Sequence, residues 1–118
     1  ANAEAQYALG VLYFAGRGVD NDFRTAADWF RKAGLQGHGG AQSVLGAMYQ
    51  KGWGIDIDVG EAFVWFSLAN RQRKKAMGYR GDIDPEKELQ KITARISRLQ
   101  RQKAERRLRA MGQKKPKR

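Results

Sequence analysis

The chain contains no cysteine and only one histidine, His38. Without thiols, neither disulfide bonds nor thiolate-bound zinc can form. We expect His38 to be a solvated turn residue, and a lone imidazole cannot build a histidine metal cluster. No Ser–His–Asp arrangement can be assembled around it either. These absences predict a protein that is not an enzyme and that uses no cofactor or metal.

Long apolar runs are also lacking. No stretch approaches the roughly 20 apolar residues that span a bilayer. The first residues, Ala1 to Glu4, have neither the basic region nor the apolar stretch of a signal peptide. We therefore expect neither a transmembrane segment nor a signal peptide in this chain. A leader already removed leaves no trace, so the compartment stays open between cytoplasm, periplasm and export.

Charge is distributed unevenly along the chain, whose formal net charge is +11. Residues 1–70 contain five Lys or Arg and seven Asp or Glu, whereas residues 71–118 contain eighteen and five. The basic excess therefore belongs to the C-terminal part. This division predicts a near-neutral folded body that carries a basic appendage.

The chain repeats itself with a period of 36 residues. Residues 5–36 and 41–72 align without a gap and share 14 identities in 32 positions, where chance gives about two. The shared set combines small residues, aromatic residues, turn glycines and aspartates. Its members in the first unit are Ala5, Gln6, Leu9, Gly10, Tyr13, Gly16, Gly18, Asp20, Asp22, Ala26, Trp29, Phe30, Ala33 and Gln36. Such a period is typical of solenoids built from stacked units.

Each unit is predicted to be a helix–turn–helix. Apolar spacing favours a helix over about 3–15 and a second one that runs to about 35 in the first unit, and helices over 40–51 and 59–76 in the second. Glycines end the first helix of each unit, and Asp20 or Asp22 caps the next one. One unit cannot bury its apolar face alone, so the two must stack.

These residues resemble the Sel1-like repeat family. Its pattern A-x-A-Q-Y-x-L-G-x-L-Y-x-x-G-x-G-V-x-x-D, followed by A-x-x-W-F-x-K-A, matches residues 3–37 closely and 39–72 well. The resemblance implies an all-α fold, an α/α superhelix forming a right-handed solenoid. It also implies an adaptor without shared catalytic residues, in a family whose many bacterial members are often exported or periplasmic. Because the chain begins inside the repeat's leading motif, we expect it to be a fragment or the end of a longer array.

The C-terminal third departs from the repeat after residue 77. We expect repeats over 1–77, a linker over 78–84, a long basic capping helix over 85–111 and a disordered basic tail over 112–118. Asp84-Pro85 is a strong helix start. The apolar stripe of this helix consists of Leu89, Ile92, Ile96 and Leu99.

A partner-binding face is predicted where the two repeats differ. Tyr7, Val11 and Phe14 form one stripe of the first helix, and the resemblance implies that first helices line the concave, partner-binding surface. The candidate set is Tyr7, Val11, Phe14, Arg17, Gln50 and Trp53. The alternative is that the aromatic rings pack on the fold itself or on another repeat. The open N-terminal end of the solenoid also invites oligomerisation.

The basic C-terminal helix offers a second candidate surface for polyanions, made of Arg98, Arg101, Lys103, Arg106, Arg107 and Arg109. Three interpretations of this surface stay open. It is a helix face exposed only to solvent, a surface that binds an acidic protein or an anionic membrane, or a surface that binds nucleic acid. Nucleic-acid binding would involve mainly phosphates, because no aromatic residue follows Tyr79. The function predicted first is a non-enzymatic scaffold that binds a partner peptide or helix, and the alternative is a nucleic-acid-associated protein.

Overall fold

The computed structural model describes residues 2–18, 20–71 and 83–112. Within these ranges all regular secondary structure is helical, which confirms the predicted all-α class. The helices are α1 (Ala3–Ala15), α2 (Phe23–Leu35), α3 (Gly39–Lys51), α4 (Val59–Asn70), α5 (Pro85–Arg95) and α6 (Arg98–Gly112). In this part of the chain, no helix combines the length and apolar character needed to cross a membrane.

The same local signals start and stop the helices of both repeats. Asp22 accepts the backbone N–H of Thr25 at 3.1 Å, and Asp58 accepts that of Glu61 at 3.0 Å. The Thr25 N–H and hydroxyl also hold the pKa of the Asp22 carboxyl below its usual range. Gly16 ends α1 in the left-handed conformation, with φ of 70°. Helix capping thus follows the 36-residue period, and Asp22, rather than Asp20, is the cap.

Packing follows the order of the repeats. α1 pairs with α2, α3 pairs with α4, and α2 joins the two pairs by packing on α3. Phe30, Trp65 and Phe66 are fully buried at the centre. The far side of α4 is covered by α5 and α6. The result is a short helical-repeat solenoid with a helical cover at its C-terminal end.

Three predictions fall largely outside the described residues. Helix α4 is described to Asn70, with Arg71 after it, so the prediction that it runs to residue 76 lies beyond these ranges. The same holds for most of the 78–84 linker and for the predicted tail beyond residue 112.

The prediction of one long helix over 85–111 is wrong, because the structure breaks it at Ile96 and Ser97. Ile96 has an extended backbone, with ψ of 141°. The Ser97 hydroxyl accepts the N–H of Gln100 at 3.1 Å, and the Gln100 side chain accepts the N–H of Ser97 at 3.1 Å. This reciprocal pair is a capping box, which starts a new helix. The break leaves Leu99 61% exposed and buries Ala104 instead.

Candidate protein-binding face

Three of the predicted face residues take part in two aromatic pairs along α1. Tyr7 stacks on His38, with ring centroids 4.3 Å apart and an interplanar angle of 21°. Phe14 meets Trp53 edge-on at 5.7 Å. We call Tyr7, Phe14, His38 and Trp53 the aromatic row. All four side chains are half-buried, so each keeps a part of its surface in solvent.

The row rests on the buried core of the first repeat. Tyr7 and Phe14 lie 5.7 Å and 6.2 Å from Phe30, measured between ring centroids. Phe14 also lies 5.0 Å from Phe23. Val11 is half-buried against the same core, one turn from both Tyr7 and Phe14 along α1. These rings therefore pack on the fold itself, as the alternative interpretation predicted. Each also keeps part of its surface in solvent, which a partner-binding face requires.

His38 was expected to be a solvated turn residue, and that expectation is wrong. Its side chain is only 13% exposed. Its Nδ1 accepts the backbone N–H of Ala41 at 3.1 Å, so it caps α3, and its Nε2 lies 3.0 Å from a Glu4 carboxylate oxygen. Because Nδ1 accepts, the neutral ring carries its proton on Nε2 and donates it to Glu4. The signal in the sequence was its place directly before a helix, where an acceptor is needed.

The other two predicted face residues lie apart from the row. Arg17 is exposed in the turn after α1. Gln50 donates from its side-chain nitrogen to Glu88 at 3.1 Å, so it contacts α5 of the same chain. Glu88 was not predicted to reach the repeats, since the contact joins residues 38 positions apart. In the second repeat, the predicted face is therefore partly engaged by the C-terminal segment.

Two of the predicted polyanion-binding residues hold α6 on α4. Arg107 forms an ion pair with Glu61, in which its Nη2 donates to Oε1 at 3.1 Å. The same carboxylate oxygen accepts the indole N–H of Trp65 at 3.1 Å. Arg101 lies 5.7 Å from the centroid of the Phe63 ring and donates to Glu105 at 3.0 Å. Both arginines make contacts within the chain, a role that charge counting alone did not indicate.

The remaining four cations of this set, Arg98, Lys103, Arg106 and Arg109, are exposed. At 100° per residue, Arg98, Arg106 and Arg109 fall within roughly 80° of one another on α6. That arc is opposite the buried Ala104, and among the described residues no carboxylate forms an ion pair with these arginines. We call Arg98, Arg106 and Arg109 the outer arginines.

One cleft in the described ranges is lined by both acidic and basic side chains. No group of three or more His, Asp or Glu side chains there is arranged to hold a metal ion. A cleft of about 230 Å³ lies between the start of α4 and α6 and includes Asp58, Glu61, Lys103 and Arg107 in its lining. Asp58 caps α4 and Glu61 pairs with Arg107, so both carboxylates already have structural partners.

A family model and two solved structures all relate this chain to Sel1 repeat proteins. The family model for the Sel1 repeat matches residues 3–38 and 40–73. A Sel1 repeat protein from Oxalobacter formigenes is 40% identical, with a TM-score of 0.59, over 61% of this chain and 29% of that chain. The protective antigen c5321 of uropathogenic Escherichia coli, which has an SLR fold, is 29% identical, with a TM-score of 0.78, over 93% of this chain and 22% of that one.

These matches cover the repeats but only a part of the related proteins. The chain spans less than a third of either solved structure. No curated protein matches the chain in sequence. The family match covers more than half of the chain and confirms the resemblance carried by the 36-residue repeat. With its helix pairs, turn glycines and aspartate caps in the same register, this chain belongs to the Sel1 repeat family.

Proposed function

We propose that this chain is a non-enzymatic interaction module that binds a peptide or helix of a partner protein along the aromatic row and Val11. Sel1 repeats are generally protein–protein interaction modules, and the family is generally non-enzymatic. The observation that carries the proposal is the aromatic row itself, two pairs of half-buried rings in which Tyr7 and Phe14 of α1 contact His38 and Trp53.

The row has the physical character of a binding surface. Aromatic side chains dominate the energetics of protein interfaces. Their conformational entropy is already lost here, because Tyr7 is held between His38 and Phe30 and Phe14 between Phe23 and Trp53. A partner therefore loses little affinity to ordering these rings. Glu4 and Arg17 are exposed near opposite ends of α1 and would favour a partner with complementary charges.

The test is selection of binders from a random peptide library on the full chain, followed by affinity measurement with variants. Alanine at Tyr7 or Phe14 is unsuitable because each ring also packs on Phe30. Val11→Glu places a charge beside the row, and we expect it to weaken the selected peptides at least about tenfold. The matched control is Leu35→Glu, which introduces the same charge at a leucine that is 57% exposed on α2.

Circular dichroism must first confirm that both variants fold as the parent does. Arg17→Glu provides a second probe at an exposed position, with a change in peptide affinity expected for charged binders. If no binder is recovered, or if Leu35→Glu weakens the selected peptides as much as Val11→Glu does, the assignment of this face is wrong.

The outer arginines support a second candidate function, binding of nucleic-acid phosphates. Three guanidinium groups without an ion-pair partner in the described ranges share one side of α6. Arginine matches phosphate geometry through two parallel N–H donors. Such binding would be weakly sequence-selective and strongly dependent on salt.

Fluorescence anisotropy of a labelled random-sequence duplex at two salt concentrations tests this second function. Replacing the three outer arginines by glutamine should make the plot of log binding constant against log salt concentration less steep. The expected change in its slope is about 2.7, which corresponds to three lost phosphate contacts. The charge-matched control replaces three cations of α5, Lys87, Lys91 and Arg95, by glutamine. Equal losses in the two triple variants would indicate attraction to net charge and would refute a specific role for the outer arginines.

A further inference from the structure

The outer arginines keep an unbalanced positive charge because the nearby carboxylates are already engaged. Glu105 is the one carboxylate of α6, and it accepts from Arg101 at 3.0 Å. Glu61, on the neighbouring α4, is paired with Arg107. Burying three unpaired guanidinium groups against an apolar surface would be costly, so this side of α6 is unsuited to ordinary helix packing. Its chemistry fits a partner that is rich in negative charge.

The outer arginines belong to a helix that is fixed on the repeats. Ala104, on the opposite side of α6, is only 4% exposed, and Arg107 forms its ion pair with Glu61 of α4. Arg98 and Arg109 are 11 residues apart. This separation is about 16.5 Å along the helix axis and about three full turns, so the two residues lie on the same side. The spacing of the two positions is therefore set before any partner binds.

That spacing fits a nucleic-acid duplex. Two phosphate backbones border each groove of B-form DNA, and the open width between them is about 6 Å in the minor groove and about 12 Å in the major groove. When α6 lies across a groove, Arg98 and Arg109 can each reach one backbone. A duplex also carries one negative charge per roughly 1.7 Å of its axis, which is twice the density of a single strand. Both the helix and the duplex keep their own shape in this arrangement.

A single strand fits α6 less well. Proteins usually hold its bases by stacking them on aromatic side chains, at about 1–3 kcal/mol per base. None of residues 98–112 is aromatic, so α6 has no surface for stacking. A flexible strand must also lose conformational entropy to follow arginines at fixed positions. A duplex is already ordered and does not incur that loss.

We propose that α6 binds double-stranded nucleic acid in preference to single strands, with Arg98 and Arg109 contacting the phosphates of opposite strands across one groove. Arg106 adds a phosphate contact between them. The inference rests on the second candidate function, binding of nucleic-acid phosphates, and adds the class of nucleic acid and the way its strands are held. Phosphate contacts of this kind carry no direct information on base sequence.

Fluorescence anisotropy of the full chain with two labelled probes of nearly equal phosphate number tests the preference. The first probe is a mixed-sequence DNA duplex of about 12 base pairs, and the second is an oligothymidine strand of about 24 nucleotides, so that the number of phosphates is matched. At the same salt concentration, we expect the duplex to bind at least about tenfold more tightly than the single strand.

Two double variants separate the bridge from general attraction to charge. Arg98→Gln with Arg109→Gln removes both ends of the bridge, and we expect the duplex preference to fall to about twofold or less. The matched control, Lys87→Gln with Arg95→Gln, removes the same charge from exposed positions on α5 and should keep the preference. All four side chains are exposed, and circular dichroism must show that both variants fold as the parent does.

The possible results distinguish this inference from the function on which it rests. Equal binding of the two probes would overturn the bridge and leave phosphate binding in place. So would a control variant that loses the duplex preference as fully as the variant at Arg98 and Arg109. Absence of binding to either probe would refute the second candidate function, and the inference with it.

An anionic bilayer is the competing polyanion, and it would also gain from contact with Leu99, which is 61% exposed on α6. Phosphate bridging gives Leu99 no role, so we expect Leu99→Gln to leave duplex affinity within about twofold of the parent. Binding of phosphatidylserine vesicles that Leu99→Gln weakens, without binding of either nucleic-acid probe, would overturn the proposal in favour of a lipid surface.

Discussion

Glycine beneath an aromatic ring sets the spacing inside each helix pair. Gly10 lies under Phe30, and Gly46 lies under Phe66 in the equivalent position of the second repeat. A Cβ atom at Gly10 would fall 2.6 Å from the Phe30 ring, and one at Gly46 would fall 3.0 Å from the Phe66 ring. Both rings are fully buried and cannot swing away. Glycine at these two equivalent positions is therefore a packing requirement of the 36-residue repeat.

The first prediction concerns Gly10→Ala. The added methyl group should lower the free energy of unfolding by about 1–3 kcal/mol, because it overpacks a buried contact. Gly60→Ala is the control, since a Cβ there meets only ordinary contact at 3.4 Å and the glycine is in a helix. The control should leave stability unchanged or raise it by up to about 1 kcal/mol. Urea unfolding measures both, and a neutral Gly10→Ala would contradict this account of the spacing.

Local sequence rules predicted the residues whose partners are near in sequence. Asp22 and Asp58 cap helices three residues away, and glycines end α1 and α3, as the pattern indicated. The contacts of His38 with Glu4 and of Gln50 with Glu88 could not be read in the same way. They join residues 34 and 38 positions apart, so they depend on how whole helices approach. The aromatic row was therefore predicted in part, and its histidine was not.

At the scale of the element, one shared carboxylate links the polar contacts of α6 to those of the core. Glu61 of α4 accepts both the indole N–H of Trp65 and the guanidinium of Arg107. The sequence placed α6 within a longer helix because the apolar stripe continued through Ile96. The capping box at Ser97 and Gln100 instead ends that helix and starts a new one. Neither the apolar stripe nor the capping box alone predicts that α6 packs on α4 as a separate helix.

The second prediction compares two adjacent arginines. Arg107→Gln should lower the free energy of unfolding by about 1 kcal/mol, since it removes a partly exposed ion pair and leaves Glu61 with one partner fewer. Arg106→Gln should change stability by less than about 0.5 kcal/mol because Arg106 is exposed. Thermal unfolding at low ionic strength measures both. Equal effects of the two substitutions would argue against a docking role for Arg107.

For the whole molecule, the far side of α4 is covered by α5 and α6. Ile92 and Ala104, one on each covering helix, are each only 4% exposed. The sequence predicted this cover, since a helix beginning at Asp84-Pro85 carried an apolar stripe.

The third prediction is that removing residues 98–118 destabilises the repeats themselves. The deletion exposes the side of α4 beneath Ala104, Leu108 and Met111, at a cost of roughly 2–4 kcal/mol in the free energy of unfolding. The loss should appear in one cooperative transition followed by circular dichroism, because each unit depends on its neighbours. Removing only residues 113–118 is the comparison and should leave the transition unchanged. An unaltered midpoint after the longer deletion would mean that α6 is not a structural cover.

The three tryptophans of the chain lie in three different environments and can serve as optical reporters. Trp29 lies half-buried on α2, Trp53 belongs to the aromatic row, and Trp65 shares the Glu61 carboxylate with Arg107 of α6. Trp65 is fully buried and the other two are half-buried, so their emission and quenching should differ in solution. Fluorescence of variants in which one indole is replaced by phenylalanine can therefore assign a change to binding of a protein ligand at the aromatic row or to movement of α6, without any label.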